Sequence, residues 1–123
     1  MAAILVVDDD VSYCDLLRQF LTEKGHSVLS ANTAKSALEL FKQHDPDIII
    51  SDVLMPEMDG IEFLLQLNKF TNKNLRGIIM ISGGGISDAD PYLNMAKSLG
   101  ATHVFVKPVS LIALDEVIVN ILK

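Results

Sequence analysis

The sequence has little with which to form disulfides or to cross a membrane. Its 123 residues include one cysteine, Cys14, and no tryptophan. A single cysteine excludes an internal disulfide and is typical of a reducing compartment. No apolar run approaches the roughly 18 residues of a membrane span. The apolar stretch near the amino terminus also lacks the basic segment of a secretory signal. We therefore expect a cytoplasmic chain with no membrane segment.

Positive charge is also scarce. The chain has 10 Lys and Arg against 16 Asp and Glu, which gives a formal net charge of −6. A surface that binds nucleic acid through phosphates needs an excess of positive charge, so we expect no direct nucleic-acid binding. An acidic chain favours cations and basic partner surfaces instead. Its length predicts one domain over residues 1–123.

Short apolar runs alternate with helical patterns along the whole chain. The predicted strands are 3–7, 27–31, 48–51, 78–81 and 104–106, and the predicted helices are 11–24, 33–44, 58–70, 89–99 and 110–122. Most of the runs are continuously apolar, as in parallel strands that are covered on both faces. We predict a doubly wound, flavodoxin-like α/β fold. Its five-stranded parallel sheet has the order 2-1-3-4-5, with five helices on two faces.

Four of the five predicted strands are followed by polar or charged residues. These are Asp8–Asp10, Asp52, Ser82 and Lys107. Sites in open α/β sheets form at the carboxyl ends of the strands, so these residues are expected to converge. Asp8 or Asp9 would face Asp52 across neighbouring strands about 4.8 Å apart. Carboxylates at such a short distance repel one another. Either the pKa of one of them is raised or they bind a cation, for which Mg²⁺ is the natural choice.

A carboxylate, a metal, a lysine and a hydroxyl together suit phosphoryl transfer, in which the protein positions groups and neutralises charge. A simpler interpretation of the three aspartates alone is an acidic cap on the following helix, and Asp10 is assigned that role. The glycine run "ISGGGISD" is not a phosphate-binding P-loop, because it lacks the Gly-Lys-Ser/Thr ending.

The chain resembles the receiver domains of two-component response regulators over its whole length, and most clearly at these residues. The resemblance lies in "LVVDDD", "IISDVLMPEMDG", "IMISGG" and "LGATHVFVKPV". It implies a phosphorylatable switch that accepts a phosphoryl group from a histidine kinase or a histidine phosphotransfer protein. The switch then signals to a downstream protein effector, and it is not a conventional turnover enzyme.

The resemblance also implies a role for each matching residue. Asp52 is the phosphoacceptor, Ser82 contacts the phosphoryl oxygen and Lys107 pairs with the phosphoryl group. Mg²⁺ is held by the carboxylates of Asp8, Asp9 and Asp52 and by the backbone carbonyl of Leu54. The bond before Pro108 is cis.

The switch region that the resemblance implies includes Ser82, Gly83 and Val104. Val104 occupies a position where the family often has Tyr or Phe, and strand alternation points Phe105 to the opposite face. We therefore expect signalling through the loop after the fourth strand and through the fourth helix. Helix 110–122 is apolar on more than one face, which suggests a homodimer through the fourth and fifth helices. Met95 is expected in the core.

Two alternatives stay open. The chain is either a stand-alone receiver or the amino-terminal receiver of a longer regulator, whose output binds DNA or makes a second messenger. The second alternative is a haloacid-dehalogenase-like phosphatase, because Asp8, Asp10 and Ser12 resemble its Asp-x-Asp-x-Thr motif. Asp8 would then be the nucleophile and Asp10 the general acid, but Asp52 and its surrounding segment would have no role.

Overall fold

The computed structural model describes residues 2–53, 60–70, 74–83 and 91–123. Strands and helices alternate throughout. They are β1 (Ala3–Val7), α1 (Val11–Glu23), β2 (Ser27–Ala31), α2 (Ala34–His44), β3 (Ile48–Asp52), α3 (Gly60–Leu67), β4 (Gly77–Ser82), α4 (Pro91–Ser98), β5 (His103–Val106) and α5 (Leu111–Leu122). Every predicted strand and helix is present, and the ends that lie among the described residues differ from the predicted ends by a few residues at most. The predicted starts of the third and fourth helices, at 58 and 89, lie outside the described residues. Asp52 and Ser82 are the last residues of their strands.

The five strands form one parallel sheet in the order β2-β1-β3-β4-β5, as predicted. In the register of β1 with β3, Val7 lies beside Ser51. Asp8 and Asp52 are each the next residue along, so the sheet itself brings the two carboxylates to adjacent positions. Strand order therefore decides which polar residues meet at the carboxyl edge.

Alternate residues of the strands pack into two apolar layers. One layer joins Ile49 and Met80 to buried residues of α2, α3 and α4, and the other joins Ile50 and Ile79 to buried residues of α1 and α5. Val104 packs against the first layer and Phe105 against the second. This confirms the prediction that the two side chains point to opposite faces.

Helix α1 begins at the carboxyl edge of the sheet and is capped by Asp10. The Asp10 side chain accepts a hydrogen bond from the Tyr13 backbone N–H at 3.1 Å, and Thr33 caps α2 in the same way. Such caps satisfy backbone donors that a helix leaves without intrahelical partners. The predicted capping role of Asp10 is therefore confirmed.

Helix α3 packs tightly against the end of β3. The Gly60 N–H donates to the Val53 carbonyl at 2.5 Å, and a Cβ atom added at Gly60 would lie 2.6 Å from that oxygen. Only glycine fits at this contact without a shift of the backbone. Gly60 therefore sets how closely α3 approaches the strand that ends in Asp52.

The prediction that Met95 belongs to the core is wrong. Met95 is 53% exposed, because α4 buries its small residue Ala96 against the sheet instead. Helix α5 carries exposed apolar residues as predicted, with Ile112 76% and Val119 47% exposed. Among the described residues, no helix combines the length and the apolar character needed to span a membrane.

Candidate functional site

Three carboxylates converge at the carboxyl edge of the sheet. One oxygen each from Asp8, Asp9 and Asp52 lies within 4.8 Å of the others. Asp8 and Asp52 are buried, at 2% and 7% exposure, whereas Asp9 is exposed. Buried carboxylates this close repel one another unless a positive charge compensates them. The cluster predicted from the sequence is therefore present, with one side open to solvent.

Lys107 supplies a positive charge to this cluster. Its Nζ lies 2.9 Å from Asp8 Oδ2 and 3.5 Å from Asp52 Oδ2. Burial alone would lower the pKa of Lys107, but the hydrogen bond to Asp8 and the charges of Asp52 and Asp8 outweigh it and raise the pKa above its ordinary value. The ammonium therefore stays charged at neutral pH. Lys107 follows β5, so its contacts with Asp8 and Asp52 agree with the expected convergence of the strand-end residues.

Asp8 is held in place by several hydrogen bonds. Its Oδ1 accepts from the Asp10 N–H at 2.9 Å, which leaves Oδ2 facing Lys107. Its backbone carbonyl accepts from Asn32 Nδ2 at 3.0 Å and from the Cys14 thiol at 3.3 Å. Burial and the Asp8 charge raise the pKa of the Cys14 thiol to about 11, so it remains a neutral donor. Asn32 and Cys14 thus support Asp8, a role that nothing in their sequence positions indicated.

Ser82 places a hydroxyl at the same edge. The residue is completely buried, and its Oγ has no hydrogen-bond partner among the described residues. A buried hydroxyl without a partner is costly, so such groups in native proteins usually serve a ligand, a water or a conformational change. Ser82 therefore offers a donor to an oxygen that enters the site.

Tyr13, which sequence reasoning missed, lies against Lys107. The Lys107 Nζ is 4.7 Å from the centroid of the Tyr13 ring. The Tyr13 hydroxyl also accepts a hydrogen bond from the Val109 N–H at 3.3 Å. Tyr13 and Lys107 are far apart in sequence, and the tertiary fold brings the first turn of α1 beside the loop that joins β5 to α5.

The structure describes some of the remaining predicted site residues but not others. The Lys107–Pro108 bond is cis, as the resemblance implied. Val104 is partly buried, and Gly83 is exposed directly after β4. Leu54, the predicted carbonyl ligand, lies outside the described residues, as does most of the glycine run that follows Gly83.

A family model described as the response regulator receiver domain matches residues 4–119. The chain therefore belongs to this family and is a receiver domain of two-component response regulators. It is 38% identical over 105 residues to the transcriptional regulatory protein ZraR of Klebsiella oxytoca, which covers 85% of this chain and 23% of that protein. It is 33% identical over 105 residues to the sporulation initiation phosphotransferase F of Bacillus subtilis, covering 85% of this chain and 81% of the relative.

A solved structure agrees with the same assignment. The chemotaxis protein CheY4 of Vibrio cholerae superposes with a TM-score of 0.88 at 30% identity, over 98% of both chains. The chain spans about a quarter of the length of ZraR and most of the length of the Bacillus relative.

The phosphatase alternative is not supported. The Asp10 side chain caps α1 and is not part of the carboxylate cluster among the described residues, which does not favour a role for it as the general acid.

Proposed function

We propose that this receiver accepts a phosphoryl group on Asp52 from a phosphohistidine of a histidine kinase or a histidine phosphotransfer protein. The observation that carries the proposal is the position of Asp52. It ends the central strand of the sheet, with the carboxylates of Asp8 and Asp9 on one side and the ammonium of Lys107 within 3.5 Å. The name of the Bacillus relative, sporulation initiation phosphotransferase F, supports the same chemistry.

The transfer needs a nucleophile and a balanced set of charges around the phosphoryl group. An Asp52 oxygen attacks phosphorus, the P–N bond of the phosphohistidine breaks, and its electron pair returns to the imidazole nitrogen, which takes up a proton. Lys107 lies where it can leave the carboxylates and pair with the phosphoryl oxygens. The Ser82 hydroxyl, which has no hydrogen-bond partner within the described part of the chain, is available to donate to one of these oxygens.

The donor set fits Mg²⁺. Asp8, Asp9 and Asp52 present hard oxygen donors within 4.8 Å of one another, and the exposed side at Asp9 leaves room for the waters that Mg²⁺ retains. We propose that these three carboxylates and the Leu54 carbonyl hold the ion. When bound, Mg²⁺ would neutralise the carboxylates and the negative charge of the phosphoryl oxygens.

The proposed output surface is the α4–β5–α5 face together with the β4–α4 loop that follows Gly83. Exposed apolar side chains occur on all three elements, at Met95, Val106 and Ile112. Exposed apolar residues on neighbouring elements support a protein partner, either an effector or a second copy. Val104 is partly buried and carries no ring, which supports switching through the loop and α4.

The direct test is phosphorylation by acetyl phosphate with Mg²⁺, followed by peptide mapping. We expect one phosphoryl adduct on Asp52 that disappears in the Asp52→Asn variant and after chelation of Mg²⁺. An adduct on Asp8, or labelling that survives Asp52→Asn, contradicts the proposal.

Light scattering with and without beryllofluoride tests self-association, and a monomer in both states excludes the homodimer.

The match to ZraR supports a second context for the same chemistry. In that context the chain would be the amino-terminal receiver of a longer regulator with a DNA-binding or second-messenger output; it spans 23% of ZraR, which is named a transcriptional regulatory protein. The genomic reading frame that contains the codon for Lys123 distinguishes this context from a stand-alone receiver. Both contexts require phosphorylation of Asp52.

A further inference from the structure

We propose that Tyr13 is a positioning residue that holds the Lys107 ammonium over the carboxylates during phosphoryl transfer. The proposal rests on the function proposed for Asp52, and it concerns a residue that no family motif of this sequence includes. Its basis is geometric. One aromatic ring on α1 contacts the lysine that follows β5, at 4.7 Å from ring centroid to Nζ.

Tyr13 is held at both ends. Its backbone N–H donates to Asp10 Oδ1 at 3.1 Å, in the same β1–α1 loop that carries Asp8 and Asp9. Its hydroxyl accepts from the Val109 N–H at 3.3 Å, two residues beyond Lys107. The ring therefore spans from the loop of the carboxylates to the loop of the lysine. A ring fixed in this way limits the positions that a mobile side chain packed against it can adopt.

The Lys107 side chain requires such a restriction. A lysine side chain is a flexible four-carbon stem that ends in a point charge, so it does not define its own direction. The negative face of an aromatic ring attracts the ammonium without withdrawing its hydrogen-bond donors from the carboxylates. In this structure the ammonium contacts Asp8, Asp52 and the Tyr13 ring together. Tyr13 thus restricts Lys107 to the side of the site where the phosphoryl group arrives.

The chain also offers a clean spectroscopic reporter. It contains two tyrosines and no tryptophan, so Tyr92→Phe leaves Tyr13 as the single emitter. In that reference protein we expect Tyr13 emission to change when beryllofluoride and Mg²⁺ occupy the site, because Lys107 shifts relative to the ring. The change disappears when Lys107 is replaced by Met.

The deciding experiment is a double-mutant cycle on the rate constant of phosphorylation by acetyl phosphate. We expect Tyr13→Leu to lower this rate constant about 3- to 10-fold, as for the loss of a cation–π contact. Tyr13→Phe keeps the ring and retains most of the rate. In a Lys107→Met background, Tyr13→Leu has no further effect, because Tyr13 acts through the lysine.

The outcomes separate the two proposals. If the unsubstituted protein is not phosphorylated on Asp52, the proposed function itself fails. If it is phosphorylated, but Tyr13→Leu lowers the rate equally with Lys107 and with Met at that position, the role of Tyr13 is structural and the inference is overturned. A wild-type rate in Tyr13→Leu also overturns it. Circular dichroism and thermal midpoints establish that each variant is folded before the rates are compared.

Discussion

Lys107 is closer to Asp8 than to Asp52, with its Nζ 2.9 Å from Asp8 Oδ2 and 3.5 Å from Asp52 Oδ2. The lysine therefore contacts both a proposed metal ligand and the proposed phosphoacceptor. Any cation that binds the carboxylates has to compete with this ammonium. In the proposed function, the same side chain would thus oppose Mg²⁺ binding while it pairs with the phosphoryl group.

We predict that Lys107→Met changes these two properties in opposite directions. Removal of the competing charge tightens Mg²⁺ binding about tenfold, while phosphorylation of Asp52 becomes slower. Calorimetric titration with Mg²⁺ and the acetyl phosphate rate measure the two effects. Lys97→Met, at an exposed position on α4, is the matched control and leaves the affinity unchanged. Weaker Mg²⁺ binding in Lys107→Met contradicts this account of the site.

Asp9 and Asp10 are adjacent carboxylates with different predicted roles. Asp9→Asn removes a proposed metal ligand, so we predict about tenfold weaker Mg²⁺ binding with little loss of stability. Asp10→Asn keeps a side-chain oxygen that caps α1, so its Mg²⁺ affinity stays within about twofold of wild type. Titration of the two variants under identical conditions makes the comparison. Equal losses of affinity would mean that Asp10 also belongs to the metal site.

Asn32 holds the backbone of Asp8 from the end of β2, with its Nδ2 3.0 Å from the Asp8 carbonyl. We predict that Asn32→Ala lowers the free energy of unfolding by about 1 kcal/mol, the usual value of such a bond. It also weakens Mg²⁺ binding, because Asp8 is less firmly placed. Asn74→Ala, which removes an amide donor to Asp45, is the control. It should alter stability alone, as urea unfolding and Mg²⁺ titration of both variants will show.

Gly60 leaves no room for a side chain. An added Cβ would lie 2.6 Å from the Val53 carbonyl oxygen and 2.7 Å from Met80 Cε. We predict that Gly60→Ala lowers the free energy of unfolding by about 1–3 kcal/mol, the usual cost of overpacking. Gly83→Ala is the stability control, because no atom of the residues that the structure describes lies within 4 Å of its added Cβ. A Gly60→Ala protein as stable as Gly83→Ala would show that α3 can move away from β3 without cost.

His26 makes stability depend on pH. Its Nδ1 accepts a hydrogen bond from the Ala2 N–H at 3.2 Å, which only the neutral imidazole can do. Burial lowers the pKa of His26 below its ordinary value of 6.5, and the attraction of Asp115 offsets only part of that effect. The unfolded chain therefore binds more protons just below pH 6.5, and stability falls as the pH decreases through this range.

The measurement for His26 is urea unfolding at pH 7.5 and at pH 5.5. We expect His26→Gln to lose less stability between these pH values than the wild type does, since glutamine does not titrate. His103→Gln, at an exposed position on β5, should keep the wild-type difference. An unchanged difference in His26→Gln would assign the pH dependence to other groups.

Most of the fold and much of the site could be predicted from the sequence because they depend on local patterns. Continuous apolar runs indicate buried parallel strands, and the residue after each run is placed at the carboxyl edge. This reasoning located Asp52, Ser82 and Lys107 correctly. It missed Asn32 and Tyr13, whose contacts with the site residues depend on how neighbouring elements pack.

The error at Met95 has the same origin. The sequence shows that α4 is amphipathic in part, but it does not show which of two adjacent residues faces the sheet. The packing buries Ala96, and Met95 is left exposed.

The sequence by itself determined the order of strands and helices, the polar residues at the strand ends and the capping role of Asp10. Each of these follows from residue type and spacing along a few turns of chain. Only the tertiary structure decided that Lys107 pairs more closely with Asp8 than with Asp52, and that the Tyr13 ring lies against it. Those contacts depend on the sheet register and on the position of the first turn of α1 beside the loop after β5, which no local pattern encodes.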